Sequence, residues 1–218
     1  MAKREERGVT IPWLGDAGER GEALEGLFVA SDPDAPDSGG AVIAPPHPLY
    51  GGSMDSPVVS ELAWAFTRSG RASLRFNWRG VGASTGQPSG APEHGTEDFA
   101  AALLHLGRSV TGPLFAAGYS FGAVAALRAA ADQPRVRGLV LVAPPPPLLD
   151  ADALRATSSP LLILVGAEDA LAPAPALEAL ISELPNARLA RIRAADHFFA
   201  AGLAELGREA ASWLAERR

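Results

Sequence analysis

Cysteine is absent from the 218 residues of this chain, which excludes disulfides, thiolate metal sites and a cysteine nucleophile together. Lysine is almost absent: Lys3 is the only one, while arginine, alanine, glycine and proline abound, a bias of genome composition rather than of function. Positive charge is in deficit, with a formal net charge of -6, which argues against a nucleic-acid-binding surface. No apolar run reaches membrane-spanning length. The charged start, residues 1–8, leads into no apolar signal segment. The expectation is a soluble, cytoplasmic protein with no nucleic-acid or membrane partner; the oligomeric state is open.

What is present suffices for a large core, since 47% of the residues are hydrophobic. One domain over residues 1–218 is expected. Two β-rich segments, Val9–Leu14 and Leu24–Ala30, read as an antiparallel pair at a sheet edge, where Pro12 is tolerated. Short strand-like runs follow at 41–44, 72–76, 113–117, 138–143, 160–165 and 188–192, of which 41–44 is uniformly apolar, as buried parallel strands tend to be. Helices are expected at 58–68, opened by Ser56 and Pro57, then at 97–106, 123–131, 174–184 and 199–216. Alternating strands and helices give an α/β fold, a mostly parallel sheet of about 7–8 strands with helices on both faces.

The chain is organised around Gly118-Tyr119-Ser120-Phe121-Gly122, between an apolar strand and an alanine-rich helix. A serine there, with glycines two before and two after, fits a strained strand-to-helix turn that exposes its Oγ at a helix N-terminus. A tight turn with Ser120 as N-cap would use the same residues. A serine nucleophile needs a base, and the base an orienting carboxylate. Of the four histidines, His105 lies mid-helix, His94 in a polar loop, and His47 in the Pro-rich loop after the third strand. His197 follows the last strand and precedes the last helix, the position a base requires. A structural alternative for it is a helix start capped by Asp196. For the acid, Asp169 directly follows a strongly apolar strand, with Glu168, Asp150 and Asp152 as rivals. The order Ser120, Asp169, His197 is that of α/β-hydrolases rather than of other serine hydrolases.

On the segments 47–55, 75–84, Gly118–Gly122, 166–169 and 196–198, the chain resembles the α/β-hydrolase superfamily, specifically small lidless bacterial serine hydrolases similar to dienelactone hydrolases. The resemblance is collinear over nearly the whole chain. It implies an α/β-hydrolase fold with no substantial lid, no cofactor, and a small-molecule acyl substrate. The implied activity is hydrolysis of a small acyl ester, thioester or amide through Ser120, His197 and Asp169 and an acyl-enzyme intermediate. A catalytically silent scaffold that binds a partner and an acyltransferase are the other readings. Dienelactone hydrolysis itself is not implied, because its cysteine nucleophile is missing. The oxyanion donors implied are the N–H groups of Phe121 and His47, with Leu49 as fallback, since Pro46 and Pro48 have none. The loop departs from similar enzymes at Pro45, where they carry a histidine. Tyr50, Trp78, Tyr119 and Phe198 are candidate pocket walls, with core packing the competing fate. The glycine-rich stretch 80–86 beside Arg79 lacks the ending of a phosphate loop and reads as a structural turn.

Overall fold

The computed structural model describes residues 5–13, 21–35, 38–131 and 133–217. Leu14 and most of the first turn therefore lie outside the described residues. In chain order the elements are β1 (Glu6–Pro12), β2 (Ala23–Val29), β3 (Gly40–Ala44), α1 (Pro57–Arg68), β4 (Ala72–Phe76), α2 (Pro92–Ser109), β5 (Leu114–Tyr119) and α3 (Phe121–Ala130). They continue with β6 (Val136–Val142), α4 (Ala151–Ala156), β7 (Leu161–Gly166), α5 (Ala174–Ile181), β8 (Ala187–Ile192) and α6 (Leu203–Ala215).

The eight strands form one sheet in the order β1-β2-β4-β3-β5-β6-β7-β8. β1 and β2 pair antiparallel, as do β2 and β4, and from β4 onward every pair is parallel. Pro12 sits at the end of the edge strand opposite Ala23, where its missing N–H costs no interior ladder bond. β3, β5 and β7 are buried along their whole length, because helices cover both faces. α1 packs against α6 on one face, and α2 against α3 on the other. The inward stripe of α1, including Val59, Leu62 and Phe66, repeats at helical spacing. Each fully buried leucine or phenylalanine in it contributes about 1.5–3 kcal/mol.

The order of the sheet places the site. β3 sends its chain outward to β4, whereas β5 sends its chain the other way to β6. Their carboxyl ends therefore flank the crevice where the direction of winding reverses, the usual ligand position in open α/β sheets. Register pairs Ala44 with Gly118, so the Pro45–Tyr50 loop and Ser120 emerge side by side. Between β6 and β7 stand only a 3₁₀ turn (Pro146–Leu148) and the two-turn α4, so no lid covers that end.

Local structure differs from the sequence expectation at several helix ends. α2 begins at Pro92 rather than near Glu97, which places His94 in its first turn. Gly95 is no breaker there: a Cβ on it would stand 2.8 Å from the Phe121 ring, so the glycine lets α2 close on α3. Ser56 occupies the N-cap of α1 without a side-chain hydrogen bond, leaving Pro57 to set the start. α4 was not expected from the sequence and is nucleated by Asp150, whose carboxylate accepts from the N–H groups of Asp152 and Ala153. α5 ends at Ile181, and α6 starts at Leu203 because Phe199 (φ 53°) and Gly202 (φ 84°) turn the chain first. Among the described residues no helix is long and apolar enough to cross a membrane.

Candidate active site

Ser120 joins β5 to α3 with φ 55° and ψ -117°, a conformation that costs a non-glycine residue about 1–3 kcal/mol. Two close approaches hold it there. A Cβ on Gly118 would stand 2.2 Å from the Gly122 carbonyl oxygen, and one on Gly122 would stand 2.4 Å from the Pro45 oxygen. The first lets the helix fold back on its own strand; the second seats the loop after β3 against the helix start. The Ser120 N–H donates to the Val142 carbonyl at 2.8 Å. Its hydroxyl makes no capping bond, although the residue occupies the N-cap position. Instead Oγ lies 3.0 Å from His197 Nε2.

His197 stands in the connection from β8 to α6, which crosses the end of β7 at Gly166. A Cβ there would meet the Ala195 oxygen at 2.3 Å. From below, the Tyr119 hydroxyl donates to the His197 carbonyl at 2.6 Å, tying the residue before the serine to the backbone of the histidine. Burial, reinforced by the carboxylates of Asp169 and Asp196, pushes the Tyr119 phenol up to about 12, so it remains a donor. Asp196 does not cap α6; its carboxylate accepts from the Phe198 N–H.

On the far side of the ring, Nδ1 lies 2.8 Å from Asp169 Oδ2. An ionised carboxylate can only accept, so the neutral imidazole carries its proton on Nδ1 and presents Nε2 as an acceptor to the serine O–H. Asp169 is buried, and its other oxygen accepts from the N–H groups of Leu171 (2.9 Å) and Ala172 (2.8 Å). Burial acts to raise its pKa. The His197 hydrogen bond, the Ala172 N–H, the imidazole charge and the Leu171 N–H outweigh it and hold the carboxyl below the usual range. A carboxylate with a folded pKa below its unfolded one adds stability that is complete above the unfolded value and disappears as pH falls through the folded value. Asp169→Asn should therefore flatten the acid-side decline of the melting temperature, read from thermal melts across the acidic range; an unchanged slope would contradict this. The rival acids are elsewhere: Glu168 is exposed, Asp150 caps α4, and Asp152 pairs with Arg155.

The loop after β3 puts His47 at the start of a 3₁₀ turn (Pro48–Tyr50). Its Nδ1 accepts from the Leu49 N–H at 3.2 Å, which occupies the fallback oxyanion donor. The ring rests against Phe121, with centroids 4.9 Å apart, and fills the space beside Gly90, where a Cβ would stand 2.6 Å from it. Among the described residues neither the His47 nor the Phe121 backbone N–H has a hydrogen-bond partner.

The four candidate pocket walls separate into two kinds. Tyr50 (87% exposed) and Phe198 (73%) stand out into solvent beside His47 and His197. Tyr119 and Trp78 are buried, and both use their polar atoms to bind backbone carbonyls, of His197 and Pro46 respectively. That role for a ring is invisible in local sequence pattern. Of the seven large hydrophobic side chains exposed among the described residues, Leu49, Tyr50, Leu148, Leu171 and Phe198 belong to loops at the carboxyl ends of β3, β6, β7 and β8. They form an apolar rim at the Ser120 end of the sheet.

The remaining polar candidates lie away from this cluster. His105 is half-buried on α2, and His94 Nδ1 lies 2.7 Å from Ser89 Oγ. Arg79 is buried and held by Asp98 and Glu97, so stretch 80–86 offers no guanidinium to a phosphate. Among the described residues no group of three His, Asp or Glu side chains is placed to hold a metal ion.

A family model described as serine aminopeptidase, S33, matches residues 49–146. An uncharacterized protein of Rickettsia prowazekii is 31% identical over 189 residues, which covers 81% of this chain and 77% of that protein. A serine hydrolase homologue of the α/β class from Coxiella burnetii superposes with a TM-score of 0.81 at 30% identity, over 94% of this chain and 97% of that one. A Xanthomonas campestris member of the α/β serine hydrolases without a lid superposes with a TM-score of 0.82 at 27% identity, over 96% and 94%.

Proposed function

The chain belongs to the lidless α/β serine hydrolases, and on that premise we propose that it cleaves small acyl esters with Ser120 as nucleophile, His197 as base and Asp169 as orienting acid. The observation that carries this reading is the unbroken relay from Ser120 Oγ through His197 (3.0 Å) to Asp169 (2.8 Å). Ser120 Oγ attacks the ester carbonyl while Nε2 takes its proton. The Asp169 carboxylate holds the tautomer and stabilises the imidazolium. His197 then returns the proton to the departing alkoxide, leaving an acyl-serine. A water, deprotonated by the same Nε2, attacks that ester, and Nε2 returns the proton to Ser120 Oγ as the acid departs. The tetrahedral oxyanion of both steps is met by the Phe121 and His47 N–H groups, each worth roughly 3–4 kcal/mol of transition-state stabilisation.

The rim bears on the substrate. With no lid, an acyl chain is not enclosed, but it can lie against Tyr50, Leu49 and Phe198. A fully buried methylene contributes about 0.8 kcal/mol, and half of that on an open rim is roughly a twofold gain for each carbon. For p-nitrophenyl esters, kcat/KM should rise about 15-fold from acetate to hexanoate, four carbons at about twofold each. The paired change Tyr50→Ser with Phe198→Ser should flatten that rise and spare acetate turnover. The control is Ser120→Ala, which should be inactive on the whole panel. A panel without activity in the native protein, or with equal activity in Ser120→Ala, would refute the reading.

A further inference from the structure

Trp78 lies just beyond β4 and is 1% exposed, packed edge-on against Phe76 and Phe121 with centroids 4.9 and 5.4 Å away. Such a ring needs a partner for its indole N–H, and Nε1 donates to the Pro46 carbonyl at 2.9 Å. The choice of carbonyl matters. Pro46 C=O and His47 N–H are the two ends of one peptide unit, and the described backbone contains no cis bond. A planar trans peptide points its oxygen and its hydrogen in opposite directions. A donor that pins the oxygen therefore fixes where the His47 N–H points.

The next peptide is fixed as well. The His47 carbonyl accepts from the N–H groups of Tyr50 and Gly52, both at 3.1 Å. Gly52 closes the Pro46 peptide from another side, since a Cβ on it would stand 2.2 Å from the Pro46 oxygen. Pro45, Pro46 and Pro48 limit the backbone torsions of the loop. The Pro46, His47 and Pro48 carbonyls and the N–H groups of Leu49, Tyr50, Gly51 and Gly52 are thus committed, while the His47 N–H has no partner among the described residues. A hydrogen bond to the oxygen also polarises the amide and strengthens its N–H as a donor.

We propose that Trp78 is a positioning residue for the oxyanion hole: through the Pro46 carbonyl it aims and polarises the His47 N–H toward the acyl oxygen. This rests on the esterase reading above. It assigns to a side chain from the loop after a different strand, β4, the bracing of a loop whose first position, Pro45, has no side chain able to hydrogen-bond.

The test is Trp78→Phe, which keeps an aromatic ring against Phe76 and Phe121 and removes the donor together with part of the buried ring volume. Phe76→Leu serves as the packing control, a neighbouring core change that leaves the indole bond intact. Complete loss of an oxyanion donor costs about 10²–10³ in kcat, so a misaimed one should cost about 10–100-fold, with KM nearly unchanged. In protein labelled with ¹⁵N-histidine, the backbone amide of His47, assigned through a His47→Asn sample, should move in Trp78→Phe. The other histidine amides should stay in place. Phe76→Leu should lower the melting temperature and leave both kcat and the His47 amide as they were. An unmoved amide with native kcat in Trp78→Phe, or equal losses in Phe76→Leu, would overturn the proposal. An inactive native enzyme would instead refute the esterase reading, and the oxyanion role with it.

Discussion

Replacing His197 with alanine should lower kcat for a short-chain aryl ester by about 10⁵–10⁶-fold, and adding Ser120→Ala should cost almost nothing more. The two groups act as one unit: without the base, Oγ keeps its proton, and without Oγ the base has nothing to activate. In a triad of this kind each of these single losses approaches the loss from removing all three members. Asp169→Asn should cost less, about 10⁴-fold, because the amide keeps a polar group beside Nδ1 but favours the wrong tautomer. Ser120→Ala should fold normally, since its hydroxyl caps nothing and its nearest partner is Nε2. Losses that multiply in the Ser120→Ala/His197→Ala double variant would mean that the residues act independently.

The largest effect on stability is expected at Asp98. Arg79 is 1% exposed, stacked over Trp13 at 4.2 Å, and Asp98 is equally buried. Asp98 Oδ1 accepts from Arg79 Nε at 2.9 Å and pairs with Nη2 at 2.8 Å, while Oδ2 accepts the Arg79 backbone N–H at 2.9 Å. Burial pushes the Asp98 pKa up, and the Arg79 bonds only partly offset it. Asp98→Ala would leave a guanidinium in the interior without its main counterion. Breaking one side of a buried pair costs about 3–5 kcal/mol. In a chain of this length that is a fall of roughly 10–15 °C in melting temperature. Replacing both partners with leucine should recover much of the loss, because no unpaired charge then remains. A fall of only a degree or two in Asp98→Ala would show that the pair does not anchor loop 77–86 behind the site.

The strands and the candidate relay were legible because their signals are local. β3 announces itself as a short apolar run, and the serine turn is framed by glycines whose tight contacts follow from the geometry of the turn. Asp169 follows the apolar β7 and His197 follows the last strand, so the end of the sheet they occupy is implied by strand direction. What stayed hidden depends on partners distant in sequence. Gly95 reads as a loop residue until α3 is placed against it. Trp78 reads as an apolar wall until the Pro46 carbonyl, 32 positions earlier, is seen to take its N–H. Leu49 reads as a free donor until the His47 ring folds back on it. α4 is a two-turn helix whose start depends on one carboxylate, too short for periodicity to reveal.

The most direct test of the central claim is covalent. Intact protein treated with a fluorophosphonate and mapped by peptide mass spectrometry should carry one adduct, on the peptide containing Ser120, with loss of fluoride. Ser120→Ala should carry none, and His197→Ala should label far more slowly. An unmodified native protein, or labelling that persists in Ser120→Ala, would contradict Ser120 as the nucleophile.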